Sequence, residues 1–205
     1  MRLIADNSKD AAREIARMYD MRLSFDALSA LTALLQPKKF RHRTFILEQG
    51  EQSASIAFVA KGLIRQYKPD DELDIVEDIC HEGDMLFCAE STIGRQESEL
   101  CIQTLEPTII YEMDYDELKE QAVKLPEIQE LFCRILESHI LKQTARLHEL
   151  DKDPLTRYIN LLHEHSEIVR RTPLKYVASY LRMAPETLSR VRNKVNRNEE
   201  VTKKK

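Results

Sequence analysis

Residues Thr172–Asn198 read T-P-L-K-Y-V-A-S-Y-L-R-M-A-P-E-T-L-S-R-V-R-N-K-V-N-R-N. This stretch predicts two short helices joined by a tight turn. Thr172 can cap the first helix, and Pro173 suits its first position, where no backbone N–H is needed. One face of this helix is apolar at steps of three and four residues: Leu174, Val177, Ala178 and Leu181. The turn and the start of the second helix follow directly: Arg182, Met183, Ala184 and Pro185.

The second helix has an apolar side and a polar side. Leu188, Val191 and Val195 fall on the side that would face the protein interior. The opposite side carries polar residues, again at steps of three and four: Glu186, Ser189, Arg190, Asn193 and Arg197. Arginine pairs with guanine, asparagine with adenine and glutamate with cytosine, while serine suits several bases. The pattern therefore predicts a helix-turn-helix whose second helix recognises DNA.

An amphipathic hairpin with ordinary surface charge would show a similar pattern, but the distribution of charge favours DNA binding. Residues 153–205 carry 12 Lys and Arg against 6 Asp and Glu, a net charge of +6. Residues 1–152 carry 19 against 29, a net charge of −10. An acidic body with a basic terminal module is typical of nucleic-acid binders.

Length and composition exclude several classes of protein. A chain of 205 residues that is 42% hydrophobic can bury a sizeable core in one large or two smaller domains. The N-terminus turns polar before an apolar signal core can form, and no run approaches the roughly 20 apolar residues of a membrane helix. The cysteines are scattered, which favours free thiols over a zinc site or disulfides. We therefore expect a cytoplasmic protein without a membrane partner.

The middle of the chain predicts a β-rich domain preceded by helices. Residues 1–20 predict a helical extension, and Phe25–Leu35 a second helix that Ser24 can cap. From Lys38 to Asp114, short β-prone runs alternate with turn residues. The predicted strands are Thr44–Leu47, Ile56–Ala60, Leu63–Tyr67, Leu73–Ile79, Met85–Phe87, Leu100–Leu105 and Thr108–Met113. This spacing favours a small barrel or jelly roll.

A long helix follows the β-rich region and begins after Leu125-Pro126. It continues to Leu150, about 25 residues, where globular helices average about 11–12. Because it is apolar on more than one side, pairing of residues 125–150 with a second copy of the chain would bury it. A straight linker helix packed on the β-rich domain is the alternative. Asp153 can cap the next helix, and Pro154 can begin it, which predicts a hinge here.

The order of β-roll, long helix, Asp-Pro break and helix-turn-helix resembles the Crp/Fnr family of bacterial transcription regulators. The most specific match is L-K-Y-V-A-S-Y-L-R-M-A-P-E-T-L-S-R-V-R, Leu174–Arg192. It is similar to a subgroup that reads L-x-x-I-A-x-x-L-G-[IM]-[ST]-P-E-T-L-S-R. Two shorter matches are F-V-A-K-G-L-I-R at Phe58–Arg65 and H-E-G-D at His81–Asp84. The first is like the family's strand, glycine turn and strand, and the second is like its turn ahead of the ligand-binding segment.

The resemblance implies an α+β chain with three parts after the helical extension of residues 1–20. Residues 21–122 would form a double-stranded β-helix, or jelly roll, of the cyclic-nucleotide-binding type that acts as a sensor. Residues 123–152 would form the dimerisation helix, and residues 153–205 the helix-turn-helix domain. Few and polar residues follow the second helix, so we expect the wing of that domain to be reduced or absent.

The resemblance also places the family's base-reading pair on Glu186 and Arg190. The predicted DNA-binding residues are Lys175, Pro185, Glu186, Thr187, Ser189, Arg190, Arg192, Asn193, Lys194 and Arg197. Two residues depart from the family pattern and weaken the turn. Arg182 replaces a glycine at a position with positive φ, which is costly for arginine. Ala184 replaces a Ser or Thr cap that stabilises a helix by about 1 kcal/mol.

The predicted sensor lacks the residues of a cyclic-AMP site. Relatives that bind cyclic AMP carry Arg-Ser-Ala or Arg-Thr-Ala where this chain has Ser98, Glu99 and Leu100. Glu97 and Glu99 would repel the phosphate, and Arg95 could replace the missing arginine only if its loop shifted. We therefore do not expect this chain to bind cyclic AMP.

Other cofactors have no clear site in the sequence. An iron–sulfur cluster needs clustered thiolates, and this chain has no cysteine before Cys80. No spacing singles out a histidine as a haem ligand. A small-molecule effector other than cyclic AMP is a candidate, although no particular cofactor is predicted. The candidate pocket residues are Gly83, Asp84, Phe87, Glu90 and Ser91.

These patterns favour a homodimeric DNA-binding transcription regulator of a near-palindromic operator, with RNA polymerase as a candidate protein partner. The alternative is a β-roll module that has lost DNA recognition and acts through ligand or protein contacts, because the turn departs from the family pattern. An enzyme is not expected. Cys80 and His81 would point to opposite faces of a strand, and no phosphate-binding loop or hydrolase motif occurs.

Overall fold

The computed structural model describes residues 4–202, with side chains for residues 4–196. Helices lie at both ends of the chain, and the strands lie between them. The helices are α1 (Ser8–Met18), α2 (Phe25–Leu34), α3 (Ala89–Thr92), α4 (Tyr115–Lys124), α5 (Pro126–Leu150), α6 (Pro154–Glu164), α7 (Ser166–Arg171), α8 (Leu174–Tyr180) and α9 (Pro185–Thr202). The strands are β1 (Gln36–Phe40), β2 (Phe45–Leu47), β3 (Ser55–Lys61), β4 (Ile64–Lys68), β5 (Ile75–Cys80), β6 (Met85–Leu86), β7 (Cys101–Thr104) and β8 (Thr108–Asp114).

The strands form two four-stranded sheets, ordered β1-β8-β3-β6 and β2-β7-β4-β5. Every pairing in the described part of the chain is antiparallel. Sequence-distant strands such as β1 and β8 are neighbours, which is typical of a jelly roll. The predicted strands are all present, so the β-roll prediction is confirmed. Only β1 was not predicted, because Gln36–Phe40 is largely polar and pairs with β8 at a sheet edge.

Apolar side chains from both sheets fill the space between them. Val59 and Ile110 come from one sheet, Ile64 and Ile102 come from the other, and all four are buried. Because side chains alternate along a strand, Tyr67 of β4 lies on the outer face of its sheet. There it packs in a separate cluster with residues of the C-terminal helices.

Helices α1, α2, α4 and the first half of α5 form a layer with the β1-β8-β3-β6 sheet. Ala11 and Ile15 of α1 are fully buried in this core, so the predicted extension of residues 1–20 packs on the β-roll. Ser24 caps α2, as predicted, by accepting a hydrogen bond from the Ala27 N–H. The same serine bonds to Glu127 in the first turn of α5 and joins the two helices.

The long helix α5 spans Pro126–Leu150, as predicted. Ile128 and Ile135 in its first half are buried against the β-roll core. Ile140 and Leu147 in its second half are 61% and 66% exposed. The helix therefore leaves the β-roll with an uncovered apolar side.

The C-terminal domain packs α6, α8 and α9 around a small apolar core. The buried residues of this core are Tyr158, Leu161, Val177, Ala178, Leu181 and Leu188. Asp153 caps α6, as predicted, because its carboxylate accepts hydrogen bonds from the backbone N–H groups of Leu155 and Thr156. Pro154 then occupies the first position of that helix.

Two details of this domain correct the sequence predictions. The short helix α7 was not predicted, because six residues with two terminal arginines show too little periodicity. Thr172 does not cap α8. Its N–H bonds to the Ile168 carbonyl and ends α7, while its buried hydroxyl has no hydrogen-bond partner among the described residues. Pro173 takes the N-cap position instead.

The described chain beyond α5 is helical. Helix α9 continues to Thr202, and no strand follows Asp114 within residues 4–202. A reduced or missing wing therefore remains a prediction for the chain as a whole. None of the helices in the described residues combines the length and the apolar character needed to cross a bilayer.

Candidate nucleic-acid interface

Helix α9 is fixed to the C-terminal domain by its apolar side. Leu188 is fully buried with Tyr158 of α6 and Val177 of α8. Val191 and Val195, one and two turns further on, pack partly buried against the same core. Because these three residues share one side of the helix, the opposite side must face outward.

The outward side of α9 carries the predicted base-reading residues. Glu186, Ser189, Arg190 and Asn193 are exposed and lie within about two turns of one another. Arg192 and Lys194 are also exposed, and Thr187 and Pro185 are partly buried. Arg197 lies in α9 beyond the residues with described side chains. Lys175 stands apart, exposed in the first turn of α8.

This arrangement matches the chemistry of DNA recognition. The exposed side combines Arg, Asn, Glu and Ser, the residue types that hydrogen-bond base edges in the major groove. Cations at its flank and on α8 can contact phosphates, which fixes orientation on the duplex. The helix is held by its apolar side and leaves its polar side exposed, as a helix that enters a groove requires.

The turn between α8 and α9 is strained at Arg182, whose φ is 51°, as its place in the motif predicted. Arg157 of α6 supports this turn from inside the domain. It is only 8% exposed, and its Nη1 donates a hydrogen bond of 2.5 Å to the Leu181 carbonyl. The sequence did not predict a role for Arg157, because nothing in the pattern of α6 indicates that this side chain contacts the turn after α8.

The uncovered side of α5 is a candidate dimer surface. Cys133, Ile140 and Leu147 repeat every seven residues along it and are exposed. A different side of the helix contacts its own protomer. The ring centroids of His139 and Phe87 lie 4.4 Å apart, and Lys142 Nζ lies 2.6 Å from Asp78 Oδ2. An apolar strip with a period of seven is the pattern that helix pairs bury.

Part of the predicted sensor pocket lies in one small cleft. Gly83, Asp84 and Phe87 line it together with Tyr19 at the end of α1 and His139 of α5. The cleft holds about 80 Å³, well below the roughly 300–1,000 Å³ typical of ligand pockets. Burial lowers the pKa of His139, which favours its neutral form against the Phe87 ring.

The other two predicted pocket residues lie elsewhere. Ser91 is fully buried, and its hydroxyl accepts a hydrogen bond of 2.7 Å from the Ser53 N–H. Glu90 is exposed. Near them, Arg95 pairs with Asp116 on the surface, and Ser98 is buried in bonds within its own turn. Three of the five predicted pocket residues therefore line the cleft at Gly83, whereas Ser91 and the neighbouring turn are hydrogen-bonded to residues 50–53.

The sheet order and the helix order define a jelly-roll domain, a long connecting helix and a helix-turn-helix domain. Solved structures of Crp/Fnr regulators share this fold. FixK2 from Bradyrhizobium japonicum is similar with a TM-score of 0.67 and 15% identity, over 80% of this chain and 86% of that one. CLP from Xanthomonas campestris is described as a c-di-GMP responsive global regulator. Its structure has a TM-score of 0.64 and 17% identity, over 84% of this chain and 91% of that one.

A mutant of CooA from Carboxydothermus hydrogenoformans covers still more of this chain. It has a TM-score of 0.62 and 16% identity, over 96% of this chain and 87% of that one. No protein-family model and no curated protein matches the sequence. The likeness is therefore one of fold, and the fold is that of a Crp/Fnr-type regulator.

Proposed function

We propose that this protein is a homodimeric, sequence-specific DNA-binding transcription regulator. The exposed polar side of α9 is the observation that supports the proposal most directly. Glu186 and Arg190 lie one turn apart there, and Asn193 follows on the same side. These side chains would hydrogen-bond base edges, whereas Lys175, Arg192 and Lys194 would contact phosphates and supply most of the affinity.

Dimerisation would occur through residues 125–150. Pairing of two α5 helices would bury the exposed strip of Cys133, Ile140 and Leu147. Two-fold symmetry would then place two copies of α9 about 34–36 Å apart, in successive major grooves. The matching operator is a near-palindrome with half-sites one helical turn apart.

Selection of bound sequences from a random duplex pool tests the proposal. We expect enrichment of a near-palindromic sequence, because the two recognition helices are related by a two-fold axis. A pool that stays random after repeated rounds, although the protein is folded, would contradict sequence-specific binding.

A β-roll module without DNA recognition is the second candidate. The observation that favours it is the strained turn ahead of α9, where Arg182 replaces the glycine of the family pattern and has a φ of 51°. The dependence of binding on salt separates the two functions. A DNA-binding protein loses affinity steeply as salt rises, and a module without phosphate contacts shows a flat dependence.

An effector that binds the cleft at Gly83 would be small, and an effector of this protein would differ from cyclic AMP. The cleft at Gly83, Asp84 and Phe87 holds about 80 Å³, and Glu99 pairs with Lys68 at 2.7 Å near the place of the missing arginine. Thermal unfolding with and without cyclic AMP tests this point. We expect no change in Tm, because a ligand that does not bind the folded chain cannot stabilise it.

A further inference from the structure

The helix-turn-helix domain packs on the β-roll of its own chain. Ile168 of α7 and Tyr176 of α8 join a cluster on the outer face of the β2-β7-β4-β5 sheet. Tyr67, Val76 and Ile79 of that sheet are buried in this cluster. The sheet is therefore apolar on both faces, and the C-terminal domain covers the second one.

Strand β5 lies at the edge of the sheet, and Ser179 of α8 satisfies part of that edge. The Val76 N–H donates a hydrogen bond of 2.9 Å to the Ser179 hydroxyl, which donates one of 2.6 Å to the Asp74 carbonyl. Edge strands present unpaired N–H and C=O groups that need partners. One side chain of the C-terminal domain thus satisfies two backbone groups that a neighbouring strand would otherwise pair with.

Arg171 at the end of α7 pairs with two carboxylates of the β-roll. Its guanidinium donates two hydrogen bonds to Glu82, of 2.7 and 2.9 Å, and also pairs with Glu106. All three side chains are largely buried. Bidentate charged pairs of this kind are strong and directional, and removal of one partner leaves a buried charge without compensation.

Two further arginines bridge the domains. Arg182, in the turn before α9, lies 2.6 Å from Glu77 of β5. The guanidinium carbon of Arg65 on β4 lies 3.6 Å from the ring centroid of Tyr67 and 4.0 Å from that of Tyr176. A glycine at position 182, as in the family pattern, could not make the contact with Glu77.

We propose that Arg171, Ser179 and Arg182 form a latch that fixes the helix-turn-helix domain on the β-roll and sets the position of α9 in the free protein. Glu186 and Arg190 stay exposed in the latched arrangement, so the latch holds the recognition helix without covering it. A dimer whose two recognition helices are already in place binds both half-sites without first ordering its domains. This role in DNA binding rests on the proposed function, whereas the latch itself does not.

Hydrogen exchange of the full chain tests the latch without DNA. We expect Arg171→Gln to accelerate exchange of the Val76 amide of β5 by about tenfold, because local opening separates this N–H from its partner, the Ser179 hydroxyl of α8. Arg170→Gln is the matched control. It removes the same charge from the same helix, but Arg170 pairs with Glu167 one turn away in α7. Equal exchange in the two variants would show that no latch exists.

Binding of two duplexes tests the consequence for DNA. The probes are the palindrome recovered by selection and the same duplex with one half scrambled. We expect Arg171→Gln to weaken binding to the palindrome about tenfold and to leave half-site binding unchanged. If Arg171→Gln exchanges faster but binds the palindrome as tightly as the wild type or more tightly, the latch does not position α9. If selection recovers no duplex, the proposed function fails, and the exchange result still decides the latch.

Glu77→Gln provides a milder variant in case Arg171→Gln does not fold. Glu77 is 40% exposed, so the change removes the partner of Arg182 at little risk to the core. We expect the Val76 amide to exchange about threefold faster, in keeping with a partly exposed ion pair. Glu72→Gln, at an exposed position ahead of β5, is the control. Equal exchange rates in these two variants would show that the Arg182–Glu77 pair does not contribute to the latch.

Discussion

Arg190 and Lys194 lie one turn apart on α9, and we expect their removal to have different effects. Arg190→Ala should cost roughly 1–3 kcal/mol at one base pair and relax specificity there, because a base-edge contact is lost. Lys194→Ala should weaken binding to all sequences alike, because phosphates carry no sequence information. Titrations with the operator, its single-base variants and a random duplex measure both. Equal losses on operator and random duplex for Arg190→Ala would show that the face is wrongly assigned.

Gly62 lies in the turn between β3 and β4 and tolerates no side chain. Its φ is +116°, and an added Cβ would lie 2.8 Å from the Thr108 Cα and still closer to the Thr108 hydroxyl. We expect Gly62→Ala to lower the free energy of unfolding by about 2–4 kcal/mol, through both strain and overlap. Urea unfolding measures the change.

Gly50 is the matched control for that substitution. Its φ of +86° is also positive, but nothing lies within 4 Å of an added Cβ. Gly50→Ala should cost only about 1 kcal/mol, from the backbone conformation alone. Similar losses at both positions would show that the close approach of Thr108 contributes nothing.

Glu82 gives the latch a dependence on pH. Burial raises the pKa of this carboxyl, but the Arg171 guanidinium and backbone N–H groups, including that of Gly62, together outweigh burial and hold the pKa below its ordinary value of 4.5. A lowered pKa means that the folded chain favours the carboxylate. Its contribution to stability is therefore complete above about pH 4.5 and is lost as the pH falls through the lowered pKa.

Glu82→Gln should remove this part of the acid dependence. Urea unfolding of the wild type and the variant between about pH 6 and about pH 3 measures it. We expect the difference in stability between the two proteins to shrink as the pH falls. A difference that stays constant over this range would show that the Glu82 carboxylate is not selectively stabilised in the folded state.

Sequence patterns anticipate single residues only where a local rule applies. The caps formed by Ser24 and Asp153 follow from short-range spacing, and the positive φ of Arg182 follows from the glycine that the family pattern has at this position. The roles of Arg157 and Arg171 do not. Their partners lie 24 and 89 residues away in the sequence, and only the tertiary fold brings them together.

At the scale of elements, α5 offers a direct test of dimerisation. Ile140→Glu places a charge in the middle of the exposed apolar strip, so we expect dissociation to monomers at micromolar protein. Analytical ultracentrifugation measures the mass. Val123→Glu is the control, because Val123 is an 87% exposed apolar residue on α4, outside the strip. A dimer that persists in Ile140→Glu, or a wild type that is monomeric, would contradict pairing through α5.

Elements with a strong period or clear boundaries were predictable, and weak ones were not. Short β-prone runs between turn residues identified the strands from β2 to β8, and the long run of apolar positions after Leu125-Pro126 identified α5. Strand β1 is polar, and α7 is too short to show a period. Thr172 was assigned to the wrong helix end, because only Thr172 and Pro173 lie between α7 and α8, and a residue in so short a connection can serve either helix.

At the scale of the whole molecule, the order of parts was predictable and their packing was not. Composition and motif order indicated a β-roll, a long helix and a basic helix-turn-helix domain. The contact of that domain with β5 joins Val76 to Ser179, 103 residues apart. Nothing local to either residue indicates this contact. The apolar residues on the outer face of the sheet indicate that the face is buried, but they do not indicate which element covers it.

The covered outer face also limits how this architecture can be recombined. Tyr67, Val76 and Ile79 would face water in a β-roll separated from its C-terminal domain, and the β5 edge would be open to pairing with other chains. A chimaera that joins this β-roll to a foreign DNA-binding domain should aggregate unless the new domain supplies equivalents of Tyr176 and Ser179. Each domain of this protein therefore completes the surface of the other, and exchange of either one exposes apolar side chains on its former partner.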